Sequence, residues 1–241
     1  MPQDGASDTS AAQAQVTALL DAAPMHVLFE GWSDEALRAA AMDADVPIAV
    51  ARALFPRGGI DLAVAHHKRG DAQLAAQLAA GDLSNMKIRE RIAHAVKTRI
   101  EGAGGQDIVR AASVLFALPQ HSAEGARLIW GTADTIWTAL GDPSDDFNWY
   151  SKRAVLSAVY SATLLYWFGD QSEDSQETWD FLDRRIENVM QFEKTKAQIR
   201  NNDTLMSVLK GPLSILNAVK APQASGHPPS GPFGGWMGDA P

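Results

Sequence analysis

Cysteine is absent from this 241-residue chain. Its absence excludes disulfides, thiolate nucleophiles and zinc sites built on cysteine. Positive charge is also scarce, because 21 lysines and arginines stand against 29 aspartates and glutamates and give a formal net charge of −8. Neutralising nucleic-acid phosphates needs clustered basic side chains, so this balance argues against a general nucleic-acid binder.

Targeting and membrane-spanning signals are missing as well. Residues 1–15 contain neither a basic segment followed by an apolar one nor any arginine, which is unlike a secretory signal or a typical transit peptide. The apolar run at 154–168 is shorter than the ~20 residues that a bilayer requires. The default location predicted from these features is cytoplasmic, on a membrane surface.

Catalytic motifs are also lacking. The adjacent His66 and His67 point to different sides of a helix, and neither a His-Glu-x-x-His nor a Glu-x-x-His pair occurs. The glycines at 102–105 follow a helical segment and not a strand, so they do not form a nucleotide-binding loop. We therefore expect no catalytic residue, no metal and no cofactor, and a protein that is not an enzyme.

What the chain does contain is helical periodicity rich in Ala and Leu, with almost no strand pattern. Caps are predicted at Ser33, Ser84 and Asp145. The segments are divided by Pro and Gly at Pro24, Gly31, Pro47, Pro56, Gly58, Gly59, Gly81, 102–105, Pro119, 141–143, Gly169, Gly211 and Pro212. The pattern predicts an all-α fold of about nine or ten helices.

Two short helices near the N-terminus form a predicted helix-turn-helix. The spacing places the first at 33–41, a turn at 42–46 and the second at 47–55, with a longer helix from 60. The stretch 47–56, Pro-Ile-Ala-Val-Ala-Arg-Ala-Leu-Phe-Pro, followed by Ile-Asp-Leu at 60–62, resembles the DNA-reading region of TetR-family repressors. However, Arg52 alone could read bases there, and Asp43 and Asp45 would repel phosphates. We interpret the motif as degenerate and used for packing.

The segment 145–156 is unusual because it concentrates acids, aromatics and bases around a helix start. Its residues are Asp-Asp-Phe-Asn-Trp-Tyr-Ser-Lys-Arg-Ala-Val-Leu. Together with 85–92, 178–182 and 184–190, this segment resembles the signature of the coenzyme Q biosynthesis protein nine family. The resemblance extends over roughly 33–193, with the motifs in the same order.

The resemblance implies a TetR-like homodimer that binds isoprenoid lipids, with a bound isoprenoid lipid or phospholipid expected. It implies that the protein assists the di-iron demethoxyubiquinone hydroxylase at the inner membrane. Composition and the resemblance together predict a flexible lead (1–10), a helix-turn-helix region (11–80), a lipid-binding domain (81–193), a linker with an amphipathic helix (194–220) and a disordered tail (221–241).

The resemblance assigns partner binding to four residues: Asp146, Trp149, Tyr150 and Arg153. Their spacing of i, i+3, i+4 and i+7 places them on one helix face. Aromatic residues displayed with arginine are typical of an interface hot spot. The alternative is purely structural: Trp149 packs to fix the helix start while Asp146 and Arg153 form a surface pair. The helix that follows, apolar nearly all round, is predicted to be buried.

Two further sets of residues are predicted to contact lipid. Trp130 and Trp137 share a helix face, which suits either a core or an apolar ligand tunnel; Tyr160 and Leu164 complete this lipid-binding set. The segment 204–219 is amphipathic, and its apolar side is predicted to contact a membrane unless the helix docks on the core. That side consists of Leu205, Val208, Leu209, Leu213, Leu216 and Val219.

These observations favour a lipid-binding accessory protein of ubiquinone biosynthesis, which presents quinone intermediates to the hydroxylase. The alternative is a ligand-responsive TetR-type transcriptional regulator. The scarcity of base-reading side chains at 47–55 argues against it.

Overall fold

The computed structural model describes the backbone of residues 4–200 and the side chains of residues 10–191. This part of the chain contains nine α-helices, one short 3-10 helix at Glu173–Ser175 and no β-strand, which confirms the predicted all-α class. The helices are α1 (Asp4–Glu30), α2 (Asp34–Asp43), α3 (Ile48–Leu54), α4 (Gly59–Ala80), α5 (Ile88–Glu101), α6 (Gln106–Ala117), α7 (Ser122–Ala139), α8 (Phe147–Trp167) and α9 (Gln176–Arg200).

The chain divides into two compact units that interleave along the sequence. Unit 1 comprises Met1–Gly70 and Glu101–Leu128, and unit 2 comprises Asp71–Ile100 together with the chain from Ile129 onward. The boundary predicted between the helix-turn-helix region and the lipid-binding domain, at 80/81, instead coincides with the end of α4. Two other predicted boundaries differ from the structure, because α1 already begins at Asp4 and α9 continues to Arg200.

Unit 1 contains the predicted helix-turn-helix. Ser33 caps α2 as predicted, since its hydroxyl accepts a hydrogen bond from the Ala36 amide. Gly59 opens α4 at a point where a Cβ atom would lie 2.4 Å from the backbone of Trp32 and Ser33, so only glycine fits. The Trp32 indole is buried and donates to the carbonyl of Ile108 in α6 over 3.2 Å. α2, α3 and α4 are therefore held on a shared apolar core.

Pro24 does not end a helix, contrary to the sequence expectation. It lies inside α1, where its missing N–H leaves the carbonyl of Leu20 without a helical partner. Arg69 of α4 donates to that carbonyl over 2.9 Å and also pairs with Asp21 at 2.6 Å. A tertiary hydrogen bond thus replaces the helical one, and α1 continues through the proline.

Two predicted caps also shift. The helix predicted to follow Ser84 begins at Ile88, and the Glu90 carboxylate accepts from the Lys87 amide just before it. The cap of α8 is Asp146 and not Asp145. Moreover, α8 is buried along one side only, because Leu165 is 70% exposed.

The connection between α8 and α9 in unit 2 is organised by Asp170. Its carboxylate accepts from the amides of Ser172 and Thr178, each over 2.8 Å, and from the buried hydroxyl of Thr178. Burial alone would raise the pKa of Asp170, but these hydrogen bonds outweigh burial and lower it from 3.8 to about 2. The ionised carboxylate therefore caps the first turn of α9.

We predict that Asp170→Ala lowers the free energy of unfolding by about 1–3 kcal/mol, because the buried Thr178 donors lose their acceptor. The pKa of Asp170 is lower in the folded state than in the unfolded state. Its contribution to the free energy of unfolding is therefore complete above pH 3.8 and is lost as the pH falls towards about 2. Urea unfolding of both proteins across this interval measures the effect. A difference between them that stays constant through the interval would contradict this assignment.

Candidate functional site

Asp146 begins the signature segment as the N-cap of α8. Its carboxylate accepts from the Asn148 amide over 2.8 Å and from the Asn148 side chain over 3.0 Å. Asp146 itself is exposed. It therefore stabilises the helix start and lies at the surface, but it does not pair with Arg153.

Three aromatic rings cluster at the same end of unit 2, and all three are half-buried. Trp149 contacts Tyr150 edge to face, with 4.8 Å between ring centroids, and Trp130 of α7 lies 6.1 Å from Trp149 and 6.5 Å from Tyr150. Trp130 thus belongs to this aromatic cluster with the predicted partner-binding residues and does not line the cavity described below.

Arg153 is buried, with 2% of its surface exposed. Its guanidinium donates to Asp134 over 2.6 Å, to Asp142 over 3.2 Å and to the carbonyl of Trp149 over 3.2 Å. It also lies 3.9 Å above the Trp149 ring. This corrects two sequence interpretations, because Arg153 neither presents its side chain to a partner nor forms a surface pair with Asp146. A guanidinium matched by two carboxylates can be buried, and here it positions Trp149.

Asp142 in the loop between α7 and α8 connects Arg153 to Lys152. The Lys152 ammonium donates to Asp142 over 2.6 Å and to the Ser144 hydroxyl over 2.7 Å. Burial acts to raise the pKa of Asp142, but hydrogen bonds from Lys152, Ser144 and Arg153 outweigh burial and lower the pKa below 3.8. Asp142 is therefore ionised at neutral pH, between two cations.

A cavity of about 480 Å³ opens beside this network, within unit 2. That volume is within the ~300–1,000 Å³ of small-molecule sites. α5, α7, α8 and α9 form most of its wall, and the loop between α7 and α8 contributes the rest. The lining residues are Ile88, Ile92, Trp137, Leu140, Gly141, Asp142, Pro143, Asn148, Ser151, Lys152, Val155, Leu156, Val159, Ile186, Val189 and Met190.

Of the four predicted lipid-binding residues, the structure places Trp137 alone on the wall of this cavity. Its indole donates to the carbonyl of Lys152 over 3.1 Å, which fixes the ring. Tyr160 is buried elsewhere in unit 2, near Arg99 and Asp71, and burial there raises its pKa. Leu164 is core, with 6% exposure. Most lining residues could not be predicted from the sequence, because they come from four separate helices and a loop.

The predicted membrane-contact residues from Leu205 to Val219 lie outside the residues that the structure describes. Within 4–200, no helix is long and apolar enough to cross a membrane. Across the described side chains, no group of three or more His, Cys, Asp or Glu residues could hold a metal ion.

The fold resembles a TetR transcriptional regulator from Nitrosomonas europaea, with a TM-score of 0.59 over 71% of this chain and 95% of that chain. At 19% identity this likeness shows the fold alone. The chain is therefore an all-α protein with a TetR-like fold, as predicted.

The sequence comparisons are more specific. The COQ9 family model matches residues 122–193. The chain is 32% identical over 208 residues to the mitochondrial ubiquinone biosynthesis protein COQ9 of Rattus norvegicus and 30% identical over 206 residues to that of Homo sapiens. Each alignment includes 81% of this chain, and it spans 64% of the rat and 63% of the human protein. The chain is thus similar to COQ9 proteins over most of its own length and spans slightly less than two thirds of theirs, which confirms the resemblance found in the signature segments.

We predict that Arg153→Met lowers the free energy of unfolding by about 3–5 kcal/mol, because it removes one partner of a buried ion pair and leaves Lys152 as the remaining cation beside Asp142. Chemical denaturation measures the loss. Arg153→Lys is the matched control, and we expect it to recover part of the stability since it restores the charge but not the two-carboxylate geometry. Equal stability of all three proteins would mean that the network does not organise the site.

Proposed function

We propose that this protein is a non-enzymatic accessory protein of ubiquinone biosynthesis that binds isoprenoid quinone intermediates. The observation that carries the proposal is the cavity of unit 2, whose wall is apolar along most of its length. Burial of an isoprenoid tail there contributes about 25 cal/mol of binding free energy for each Å² of apolar surface removed from water. Similarity to curated proteins that are named as ubiquinone biosynthesis proteins supports the choice of lipid.

The proposed protein partner is the membrane-bound di-iron hydroxylase that acts on demethoxyubiquinone. Trp149 and Tyr150 support this part, because they are half-buried aromatics next to the exposed Asp146 at the same end of unit 2 as the cavity. Arg153 acts as a positioning residue beneath Trp149. Three further parts of the proposal stay predictions. They are membrane contact through the apolar side of 204–219, attachment to the inner membrane, and formation of a homodimer.

We expect purified protein to carry a prenylated quinone precursor that mass spectrometry detects. Val159 lines the cavity and is 8% exposed, so Val159→Phe fills the space that the tail occupies. An overpacking cost of ~1–3 kcal/mol in the occupied cavity corresponds to a loss of lipid affinity of about fivefold to a hundredfold or more.

Val114→Phe is the matched control, because Val114 is 64% exposed in unit 1 and does not line the cavity. It should retain the lipid content of the wild type. Lipid-free wild-type protein would refute the lipid-binding proposal, and undiminished lipid in a folded Val159→Phe protein would place the lipid elsewhere.

We further predict that Trp149→Ala or Tyr150→Ala weakens hydroxylase binding. Losing a hot-spot aromatic costs about 2 kcal/mol, or about thirtyfold in affinity. Pull-down with the purified hydroxylase, alongside thermal melting, measures the effect. Phe29→Ala is the control, since Phe29 is an aromatic residue of unit 1 that is 84% exposed. Loss of binding with an unchanged melting temperature supports the interface, whereas a collapse of the melting temperature would mean that these rings act as core.

A further inference from the structure

The polarity of the cavity changes along α8. Asn148, Ser151 and Lys152 line it in the first turns of the helix, whereas Val155, Leu156 and Val159 line it further along. At a rise of 1.5 Å per residue, the lining residues from Asn148 to Val159 extend along about 16 Å of the helix. Asn148, Ser151 and Lys152, together with Asp142 in the preceding loop, are the lining residues with ionisable, amide or hydroxyl side chains. The cavity therefore has one polar end and one apolar end.

Charges at the polar end are already matched to one another. Asp142 is ionised, and its two oxygens accept from Lys152 and from Arg153. The Lys152 ammonium also donates to Ser144 and lies 5.2 Å from the Trp137 ring centroid. Arg153 has a second carboxylate partner, Asp134, at 2.6 Å. A phosphate entering here would be desolvated without gaining an uncompensated cation, which is strongly unfavourable.

At the beginning of α8, a carboxylate of the chain already occupies the place that an anion would favour. The N-terminus of a helix favours negative charge because its first amides lack helical partners. Here the carboxylate of Asp146 already accepts from the Asn148 amide and supplies the negative charge. An uncharged head group that exchanges hydrogen bonds with Asn148, Ser151 or Lys152 meets no such penalty.

We propose that Asp142 determines which lipid head groups the cavity accepts. By neutralising Lys152 and Arg153, it excludes phosphate-bearing lipids and leaves the polar end to uncharged head groups such as quinones and phenols. This inference rests on the proposed lipid-binding function, and it narrows the expectation of an isoprenoid lipid or a phospholipid to the former.

The test compares two ligands with the same tail by calorimetric titration of the full chain: a ubiquinone with two isoprene units, and geranyl phosphate. We expect the wild type to prefer the quinone by about tenfold or more, since one charge-assisted hydrogen bond is worth roughly that factor. Asp142→Asn removes the carboxylate that pairs with Lys152, while Arg153 keeps Asp134, and we expect this change to tighten geranyl phosphate binding by about tenfold.

Asp134→Asn is the matched control, because it removes the other carboxylate of Arg153, which does not line the cavity. It should leave the preference unchanged. Ser151→Lys is a second variant for the case that Asp142→Asn does not fold. It places a new, unmatched cation at the polar end without altering Asp142, and we expect it to tighten geranyl phosphate binding to the same extent.

Equal wild-type affinity for both ligands would overturn the selectivity while leaving lipid binding intact. Absence of binding for either ligand would overturn both proposals. If folded Asp142→Asn and Ser151→Lys proteins both fail to gain geranyl phosphate affinity, charge matching by Asp142 is not the determinant.

Discussion

The pairing of one buried guanidinium with two carboxylates constrains the entire site. Arg153 bonds to Asp134 in α7, to Asp142 in the following loop and to the carbonyl of Trp149 in its own helix. An unpaired charge in this position would cost several kcal/mol, so the loop must keep Asp142 in place. That position in turn holds Lys152 at the polar end of the cavity. Aromatic surface, loop and cavity therefore depend on a single side chain.

Helix positions follow closely from the sequence because they depend on local signals. Apolar periodicity and the Ser33 cap locate α2, and the proline at 47 marks the start of α3. Prediction fails where a distant residue intervenes: Pro24 stays within α1 because Arg69 satisfies the freed carbonyl. Asp146 replaces Asp145 as a cap because neighbouring acids offer equivalent signals, and backbone geometry selects between them.

The site was less predictable than the fold. Spacing correctly grouped Trp149, Tyr150 and Arg153 near one helix start, but it could not reveal that Arg153 is buried, because its partners lie 11 and 19 positions away. Similarly, Trp130 and Trp137 are seven residues apart and share a helix face, yet Trp130 joins the aromatic cluster and Trp137 lines the cavity. Side chains from α5 and α9 complete the wall, and no local pattern marks them.

The proline within α1 has a consequence for how unit 1 assembles. Local hydrogen bonds cannot satisfy every carbonyl of this helix, because the Leu20 carbonyl accepts from Arg69, which lies 49 positions later in the chain. The ordering of α1 past Leu20 is thereby linked to a non-local contact, which forms only after the entropy of closing the intervening loop has been overcome. An isolated peptide of α1 would therefore lose helical structure near Leu20, whereas in the protein, with α4 packed beside it, α1 is one continuous helix.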